Sequence, residues 1–202
     1  MKLYSNPYSP NCRKVHGVIA QIGSEVEMQT VNLQEGEQRR PELLELNPNG
    51  KVPVLVDGDT TLWESNSIGC YVAGKAESDL WPRSDRRYDI LRWMFWESVH
   101  WAPAIGTVIG QKIFNADNPD QAIIDKGITD FRHCASILNS ELESHSHVSG
   151  DSLTVADFAV GVWLGYAPVL DLPVSEFGNV ERWYQGLSDL QAWQEVLPPS
   201  PG

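Results

Sequence analysis

The sequence has few basic residues, few cysteines and no long apolar run. Lysine and arginine number 15 against 27 aspartate and glutamate residues, so the net charge is −12, whereas nucleic-acid binding needs a basic face. The longest mostly apolar run, FAVGVWLGYAPVL, is shorter than the about 20 residues that span a bilayer. The first residues, MKLYSNPYS, contain no apolar signal segment. We therefore expect a cytoplasmic protein that binds neither nucleic acid nor membrane.

The scarcity of cysteine excludes two further classes of protein. The three cysteines, Cys12, Cys70 and Cys134, cannot all pair with one another. Their spacing fits neither a zinc site nor a disulfide scaffold. We therefore expect no metal and a reducing compartment.

Residues 1–76 alternate short strands with helices. The predicted order is β-α-β-α-β-β-α, which is the order of a thioredoxin-like α/β fold with a mixed sheet between helices. The last two strands are separated by Asp57-Gly58, a pair typical of a hairpin turn. The sequence therefore predicts a thioredoxin-like N-terminal domain.

The rest of the chain has a helical pattern. A polar stretch over residues 77–86 is typical of a linker. Residues 87–202 predict an all-helical C-terminal domain, beginning with one long helix over roughly 87–113. In the next helix, apolar residues recur in alternating steps of four and three over 124–142, as in a helix bundle.

The segment SLTVADF predicts a strong helix start in this second part. Thr154 and Asp157 have the spacing of a capping box, in which the side chain of each residue hydrogen-bonds the backbone N–H of the other. We expect this motif to act in folding and not in chemistry.

The segment Ser9-Pro10-Asn11-Cys12 has the spacing of a C-x-x-C redox motif whose first cysteine is a serine. That first position carries the reactive sulfur at a helix start in redox proteins, so here the sulfur would come from a ligand. A serine hydroxyl can donate a hydrogen bond that favours the charged form of a thiol. The alternative is that Ser9 only caps its helix. Cys12 falls on the apolar stripe of that helix, and we expect it to be buried.

The dipeptide Val52-Pro53 comes at the beginning of a predicted central strand. Proline is normally excluded there because it cannot donate to the strand ladder. Thioredoxin-like folds tolerate a cis proline at this place, beside the active site, where the preceding backbone can pair with a peptide ligand. The alternative is an ordinary proline on an edge strand.

Glu64 and Ser65 come at the start of a predicted helix. Free backbone N–H groups and the positive end of the helix dipole make such a place suitable for a carboxylate. Glu64 can pair with an ammonium group, so the two residues together match the α-amino acid end of a ligand. The alternative is that Ser65 merely caps its helix.

Taken together, these motifs resemble those of the cytosolic glutathione transferases, over essentially the whole chain. The resemblance is to the serine-type theta and phi classes and to the bacterial nu class. It implies a glutathione-binding domain over 1–76, a linker over 77–86 and a helical domain over 87–202 that carries the electrophile site. It also implies a homodimeric detoxification enzyme that uses glutathione as co-substrate and activates its thiol for attack on an electrophile.

Two other functions stay open beside this one. The nu-class resemblance suggests a glutathione-dependent disulfide reductase or peroxidase. A non-catalytic protein of the same fold, which binds ligands or partners, is the alternative from another class.

The resemblance also assigns roles to individual residues. Ser9 would hydrogen-bond the glutathione sulfur, with Asn11 as a second donor, since nu-class members use an asparagine in this turn. The remaining contacts to glutathione would be Val52 by its backbone to the cysteinyl residue beside a cis Pro53, Glu64 and Ser65 at the γ-glutamyl end, and Gln38, Arg39 and Lys51 at the glycyl end. Gln38 stands where phi enzymes commonly have histidine.

The electrophile pocket of this family lies between the two halves of the chain. The candidates to line it here are His100, Trp101, Pro103 and Tyr166. The alternative is that the many aromatic residues of this half pack in the core or in a dimer contact.

Overall fold

The computed structural model describes residues 1–194. They form two compact units, one made of Met1–Arg83 with the chain from Leu190, the other of Ser84–Asp189. Residues 195–202 of the predicted helical domain lie outside the described range. The predicted domain bounds stay a prediction.

The first unit is built on a mixed four-stranded sheet with the strand order β2-β1-β3-β4. Strand β1 (Lys2–Ser5) runs parallel to β2 (Glu27–Thr30) and antiparallel to β3 (Val54–Asp57). Strand β4 (Thr60–Trp63) pairs antiparallel with β3 across the hairpin turn that Asp57-Gly58 predicts. The thioredoxin-like fold of this unit is confirmed.

Within the described chain, four helices belong to this unit, and two of them share a small apolar core with the sheet. The four helices are α1 (Pro10–Ile22), α2 (Pro41–Leu46), α3 (Ser65–Lys75) and the short α10 (Gln191–Gln194), with a 3₁₀ turn at Glu37–Arg39. The buried side chains that form the core are Leu3, Val15, Ile19, Leu55, Ile68 and Val72. Full burial of such a side chain stabilises the fold by about 1.5–3 kcal/mol. This core therefore fixes α1 and α3 against β1 and β3.

The second unit is all-helical, as predicted. The long helix expected over 87–113 is continuous, but it consists of α4 (Arg86–Trp96) and α5 (Ala102–Ile109), each followed by a π-helical turn, Glu97–Trp101 and Gly110–Phe114. Helix α6 (Gln121–Ser144) follows. Gly127 lets α6 approach α5 closely, because a Cβ atom there would lie 2.7 Å from Cγ2 of Val108.

The remaining helices are short. They are α7 (Val155–Gly161), a 3₁₀ segment at Val162–Tyr166, α8 (Ala167–Leu170), a 3₁₀ turn at Val174–Glu176 and α9 (Gly178–Ser188). None of the helices within residues 1–194 is long and apolar enough to cross a membrane.

The predicted capping box at Thr154 and Asp157 forms. The buried carboxylate of Asp157 accepts hydrogen bonds from the Thr154 N–H at 2.8 Å, the Val148 N–H at 3.0 Å and the Trp183 Nε1 at 3.0 Å. One side chain thus satisfies donors from the loop before α7, from the start of α7 and from α9.

Candidate active site

Three of the predicted site segments meet at one edge of the sheet. The register of β1, β3 and β4 places the end of β1, the start of β3 and the end of β4 side by side. Ser9 follows the first of these strand ends, Pro53 precedes the second and Glu64 follows the third. The Val52–Pro53 peptide is cis, as expected. The topology therefore brings together residues that lie far apart in the sequence.

Ser9 lies directly before α1, whose first residue is Pro10. Its side chain makes no hydrogen bond that caps this helix, so the capping alternative receives no support. The hydroxyl hydrogen-bonds the thiol of Cys12 instead. The positive end of the α1 dipole lies at the same place, and both features favour the anionic form of a thiol bound there.

The chain's own thiol at this position is buried. Cys12 is fully buried, as expected, and its Sγ accepts a hydrogen bond from the Asn6 N–H at 3.3 Å. Burial raises the pKa of the Cys12 thiol to about 11, although the Asn6 N–H and the Ser9 hydroxyl both act in the opposite direction. Because the thiolate is the nucleophile, Cys12 cannot replace the missing sulfur near neutral pH.

A hydrogen bond joins the turn after Ser9 to the start of α3. Ser65 is buried, and its Oγ donates to Oδ1 of Asn11 at 3.2 Å. The residue in the cap position of α3 is Glu64, so Ser65 is not the cap that the alternative required. No local pattern in the sequence predicted this contact, because its two residues are 54 positions apart.

Glu64 has an unusual backbone conformation, with φ 70° and ψ 110°. This is a region that non-glycine residues rarely occupy, and such strain is concentrated at functional sites. The side chain is exposed. Glu64 therefore presents an exposed carboxylate at the start of a helix, next to backbone N–H groups that have no partner within the helix.

A second bridge between α1 and α3 comes from a buried lysine. Lys14 is only 4% exposed, and its Nζ donates to Oδ1 of Asn66 at 3.2 Å. Sequence reasoning did not single out either residue. The sequence feature that could have indicated this bridge is the pair Arg13-Lys14 within a predicted helix that has an apolar stripe. A lysine that is buried in such a helix needs a polar partner.

The residues predicted at the glycyl end lie on two adjoining loops. Gly50 has φ 59°, and a Cβ atom there would lie 3.4 Å from Cγ of Arg39, so the loop before β3 packs on the 3₁₀ turn that carries Arg39 and Gln38. Buried Asn47 holds this loop, since its Nδ2 donates to the carbonyl of Lys51 at 2.7 Å. Within the described chain, the enclosed Oε1 of Gln38 has no hydrogen-bond partner.

The candidates for the electrophile site belong to the second unit and differ in exposure. Trp101 is fully buried, and its Nε1 donates to the carbonyl of Val160 at 3.0 Å. The alternative of core packing, which the sequence left open, therefore describes Trp101. His100 and Pro103 are exposed and Tyr166 is half-buried, so these three side chains have surface to offer a ligand.

Comparison with known proteins decides the family. Residues 1–74 match the model of the glutathione S-transferase N-terminal domain, and residues 101–190 match that of the C-terminal domain. The chain belongs to the glutathione S-transferase family. It is an enzyme of that family, with relatives called glutathione S-transferases in plants and insects. This favours an enzyme over the non-catalytic binding protein.

Individual relatives of this transferase cover nearly its whole length. Glutathione S-transferase 3 of Zea mays is 29% identical, over 100% of this chain and 97% of the relative. The structure of glutathione transferase F7 from Populus trichocarpa has a TM-score of 0.89 and 28% identity, with 96% of each chain covered. A glutathione transferase from Burkholderia graminis, with two glutathione molecules bound per subunit, has a TM-score of 0.88 and 26% identity. The alignment covers 100% of this transferase and 89% of that chain.

Proposed function

We propose that this transferase ionises the thiol of glutathione and directs it at an electrophilic small molecule. A bond forms between sulfur and the electrophilic carbon, the leaving group departs with its electron pair, and the thiol proton passes to solvent. The observation that carries the proposal is the hydroxyl of Ser9, which lies at the start of α1 and does not cap it. With its Asn11 donor, the site is of the serine type, with theta-, phi- and nu-like features.

The energy required is within reach of this arrangement. A free thiol has a pKa of about 8.5, so only a few per cent is thiolate at neutral pH. Lowering that pKa by about two units takes about 2.7 kcal/mol. One hydrogen bond to a charged group contributes about 1.5–3 kcal/mol, and a helix terminus about 0.3–1 kcal/mol. Ser9 acts here as a donor and not as a base, because a hydroxyl is far less acidic than a thiol.

The other contacts to glutathione follow from the same edge of the sheet. Glu64 and the first N–H groups of α3, from Ser65 onward, suit the ammonium and carboxylate of the γ-glutamyl end. The backbone of Val52, beside cis Pro53, suits the cysteinyl residue. The glycyl end is assigned to the adjoining loops that carry Gln38, Arg39 and Lys51.

For the electrophile we propose His100, Pro103 and Tyr166 of the second unit. Their exposed surface supports this role, whereas the burial of Trp101 removes it from the set. The free cysteines are typical of a reducing compartment, so we propose a cytoplasmic location and a role in detoxification.

Glutathione-dependent disulfide or peroxide reduction is the second candidate function. It is supported by the relative from Burkholderia graminis, whose structure holds two glutathione molecules per subunit. In this reaction a second glutathione takes the place of the electrophile, two thiols are oxidised to one disulfide, and the substrate disulfide or peroxide is reduced.

We also propose that the transferase is a homodimer. Three exposed apolar side chains lie on one face of α4 and its π-helical extension. Phe95 lies about two turns after Tyr88, and Val99 about three turns after Tyr88. Tyr88 is 74% exposed, Phe95 66% and Val99 63%. Exposed aromatic residues in such a row are typical of a protein interface. A second copy of this chain is the proposed partner.

Calorimetry with glutathione, followed by turnover assays, tests the function. We expect binding, a thiol pKa below that of free glutathione, and turnover of an aryl halide. Turnover of a mixed disulfide or a peroxide without turnover of the aryl halide would select the second function. A bound glutathione whose thiol pKa is unchanged would contradict both.

A further inference from the structure

We infer that Asn6 is a positioning residue, whose buried side chain fixes the turn that carries Ser9 and so sets where the Ser9 hydroxyl stands. This inference rests on the proposed function, in which that hydroxyl donates a hydrogen bond to the sulfur of glutathione. Asn6 acts through Ser9 and does not itself touch the sulfur.

The first step concerns the turn between β1 and α1, which is formed by residues 6–9. The N–H of Ser9 donates to the carbonyl oxygen of Asn6 at 3.1 Å. Asparagine at the first position and proline, here Pro7, at the second are typical of a β-turn. The side chain of Asn6 closes the same turn from within, since its Oδ1 accepts a hydrogen bond from the N–H of Tyr8 at 2.9 Å. Asn6 therefore holds the backbone of both residues that immediately precede α1.

The second step concerns the other end of the Asn6 amide, which anchors the turn to the sheet. Asn6 is only 8% exposed, and its Nδ2 donates to the carbonyl of the buried Val31 at 2.9 Å. Val31 follows β2 directly, and its own N–H donates to the carbonyl of Ser5 at 2.9 Å. The side chain of Asn6 thus continues the pairing of β1 with β2 by one more hydrogen bond, and a shift of the turn would break it.

The third step concerns the thiol of Cys12, which both Asn6 and Ser9 contact. The N–H of Asn6 donates to Sγ of Cys12 at 3.3 Å, and the hydroxyl of Ser9 hydrogen-bonds the same thiol. A serine hydroxyl has one hydrogen to donate, and the charged sulfur of glutathione is a stronger acceptor than a neutral thiol. The hydroxyl can change its acceptor by rotation of the Ser9 side chain alone, provided that the backbone of Ser9 stays in place. Asn6 supplies that condition.

The test compares Asn6→Ala with Asn6→Ser, and its readout is the pKa of bound glutathione. This pKa is measured from thiolate absorbance against pH and from the pH profile of kcat/KM with an aryl halide. Alanine removes both side-chain hydrogen bonds, so we expect the pKa to rise by about one unit, a tenfold loss of thiolate at neutral pH, with little change in the Kd of glutathione. A serine side chain can accept from the N–H two residues further on, so Asn6→Ser should recover part of the loss.

A double-mutant cycle with Ser9→Ala separates positioning from a direct effect. Because Asn6 acts through the Ser9 hydroxyl, Asn6→Ala should raise the thiol pKa no further when that hydroxyl is already gone. Urea unfolding of each variant gives the folded fraction, and activity is expressed per folded molecule.

A matched control is Asn47→Ala, at another buried asparagine of the same unit. Asn47 makes the same two kinds of hydrogen bond, from its Nδ2 to the carbonyl of Lys51 at 2.7 Å and to its Oδ1 from the N–H of Asn49 at 3.0 Å. The loop that it holds is assigned to the glycyl end of glutathione, so this change should weaken binding and leave the thiol pKa at the wild-type value. An equal rise of the pKa in this control would mean that loosening any loop of the unit suffices, which would overturn the inference.

Two other outcomes would also overturn it. One is an unchanged thiol pKa in Asn6→Ala, because the turn would then keep the place of Ser9 without the side chain of Asn6. The other is a rise of equal size with and without the Ser9 hydroxyl, because Asn6 would then act by another route. Both leave the proposed function intact, whereas a wild-type protein that does not lower the thiol pKa would contradict that function itself.

Discussion

The hydroxyl of Ser9 hydrogen-bonds the thiol of Cys12, three residues further along the first turn of α1. Each of the two side chains has one feature of a redox cysteine and lacks the other. Cys12 has the sulfur but is buried, and Ser9 has the position at the helix start but no sulfur. The arrangement suits a site that receives its thiol from a ligand.

Ser9→Ala is expected to slow turnover far more than it weakens the binding of glutathione. An interaction made mainly with the charged sulfur affects kcat more than ground-state affinity. By analogy with an oxyanion donor, the loss is about 10²–10³ in kcat, and less if Asn11 compensates. Steady-state kinetics and calorimetry on the same variant measure the two effects. The control is Cys12→Ser, which should keep its activity per folded molecule; the reverse result would identify a cysteine-type redox enzyme.

The buried thiol of Cys12 should make the fold sensitive to alkali. Its pKa lies at about 11 in the folded chain, against an ordinary value of 9.0. Between these two values the unfolded chain releases this proton while the folded chain retains it, so stability falls as pH rises from 9 to 11. The contribution, complete below pH 9, is about 2–3 kcal/mol. Urea unfolding of wild type and Cys12→Ala across this range measures it, and an equal fall in both proteins would contradict the assignment.

Replacing Glu64 separates its charge from its backbone strain. Glu64→Ala and Glu64→Gly both remove the carboxylate, so both should weaken glutathione binding by roughly 10–100-fold, the value of one hydrogen bond to a charged group. Only glycine relieves the positive φ of 70°, so Glu64→Gly should be more stable than Glu64→Ala by about 1 kcal/mol. Calorimetry and thermal unfolding provide the two numbers. Wild-type affinity in both variants would remove Glu64 from the γ-glutamyl site.

Gly127→Ala is expected to destabilise the second unit by about 1–3 kcal/mol, as overpacking of a core does. The new methyl group would lie 2.7 Å from Val108 Cγ2 and 3.3 Å from the carbonyl oxygen of Ala104. Gly186 in α9 has nothing within 4 Å of its would-be Cβ, so Gly186→Ala should instead stabilise by about 0.5–1 kcal/mol. Chemical denaturation of both variants compares them. If both changes stabilised the protein, helix propensity, and not the approach of α5, would govern position 127.

The proposed dimer predicts a mass of twice 22.6 kDa in light scattering at micromolar concentration. Phe95→Glu places a charge in the exposed row on α4 and should shift the mass towards that of one chain. The control is Phe114→Glu, a change at another exposed aromatic residue (84% exposed) outside that row, which should leave the mass unchanged. A wild-type mass near 22.6 kDa would contradict the dimer.

The parts of the fold that could be predicted carry their signals locally. Asp57-Gly58 predicted the hairpin, and Thr154 with Asp157 predicted a helix start, because both features depend on residues within a few positions. A cis Pro53 was expected because thioredoxin-like folds tolerate one at the beginning of this central strand, with an ordinary edge-strand proline as the alternative, and the cis peptide is confirmed. A resemblance over the whole chain then connected these local signals to one family.

The parts that could not be predicted depend on contacts between distant residues or on small changes in the backbone. The hydrogen bonds from Ser65 to Asn11 and from Lys14 to Asn66 join α3 and α1. They produce no periodic pattern in the sequence. The π-helical turns within the long helix alter the backbone hydrogen bonding there. The apolar pattern of the sequence is the same with or without them, so it could not predict them.

The hydrogen bonds of Asp157 affect how the second unit unfolds locally. Its buried carboxylate is shared by donors from a loop, a helix start and the distant Trp183. Each segment that detaches removes a hydrogen-bond partner from this buried carboxylate. We therefore expect local opening in this region to be cooperative, and the three segments to exchange their amide hydrogens together.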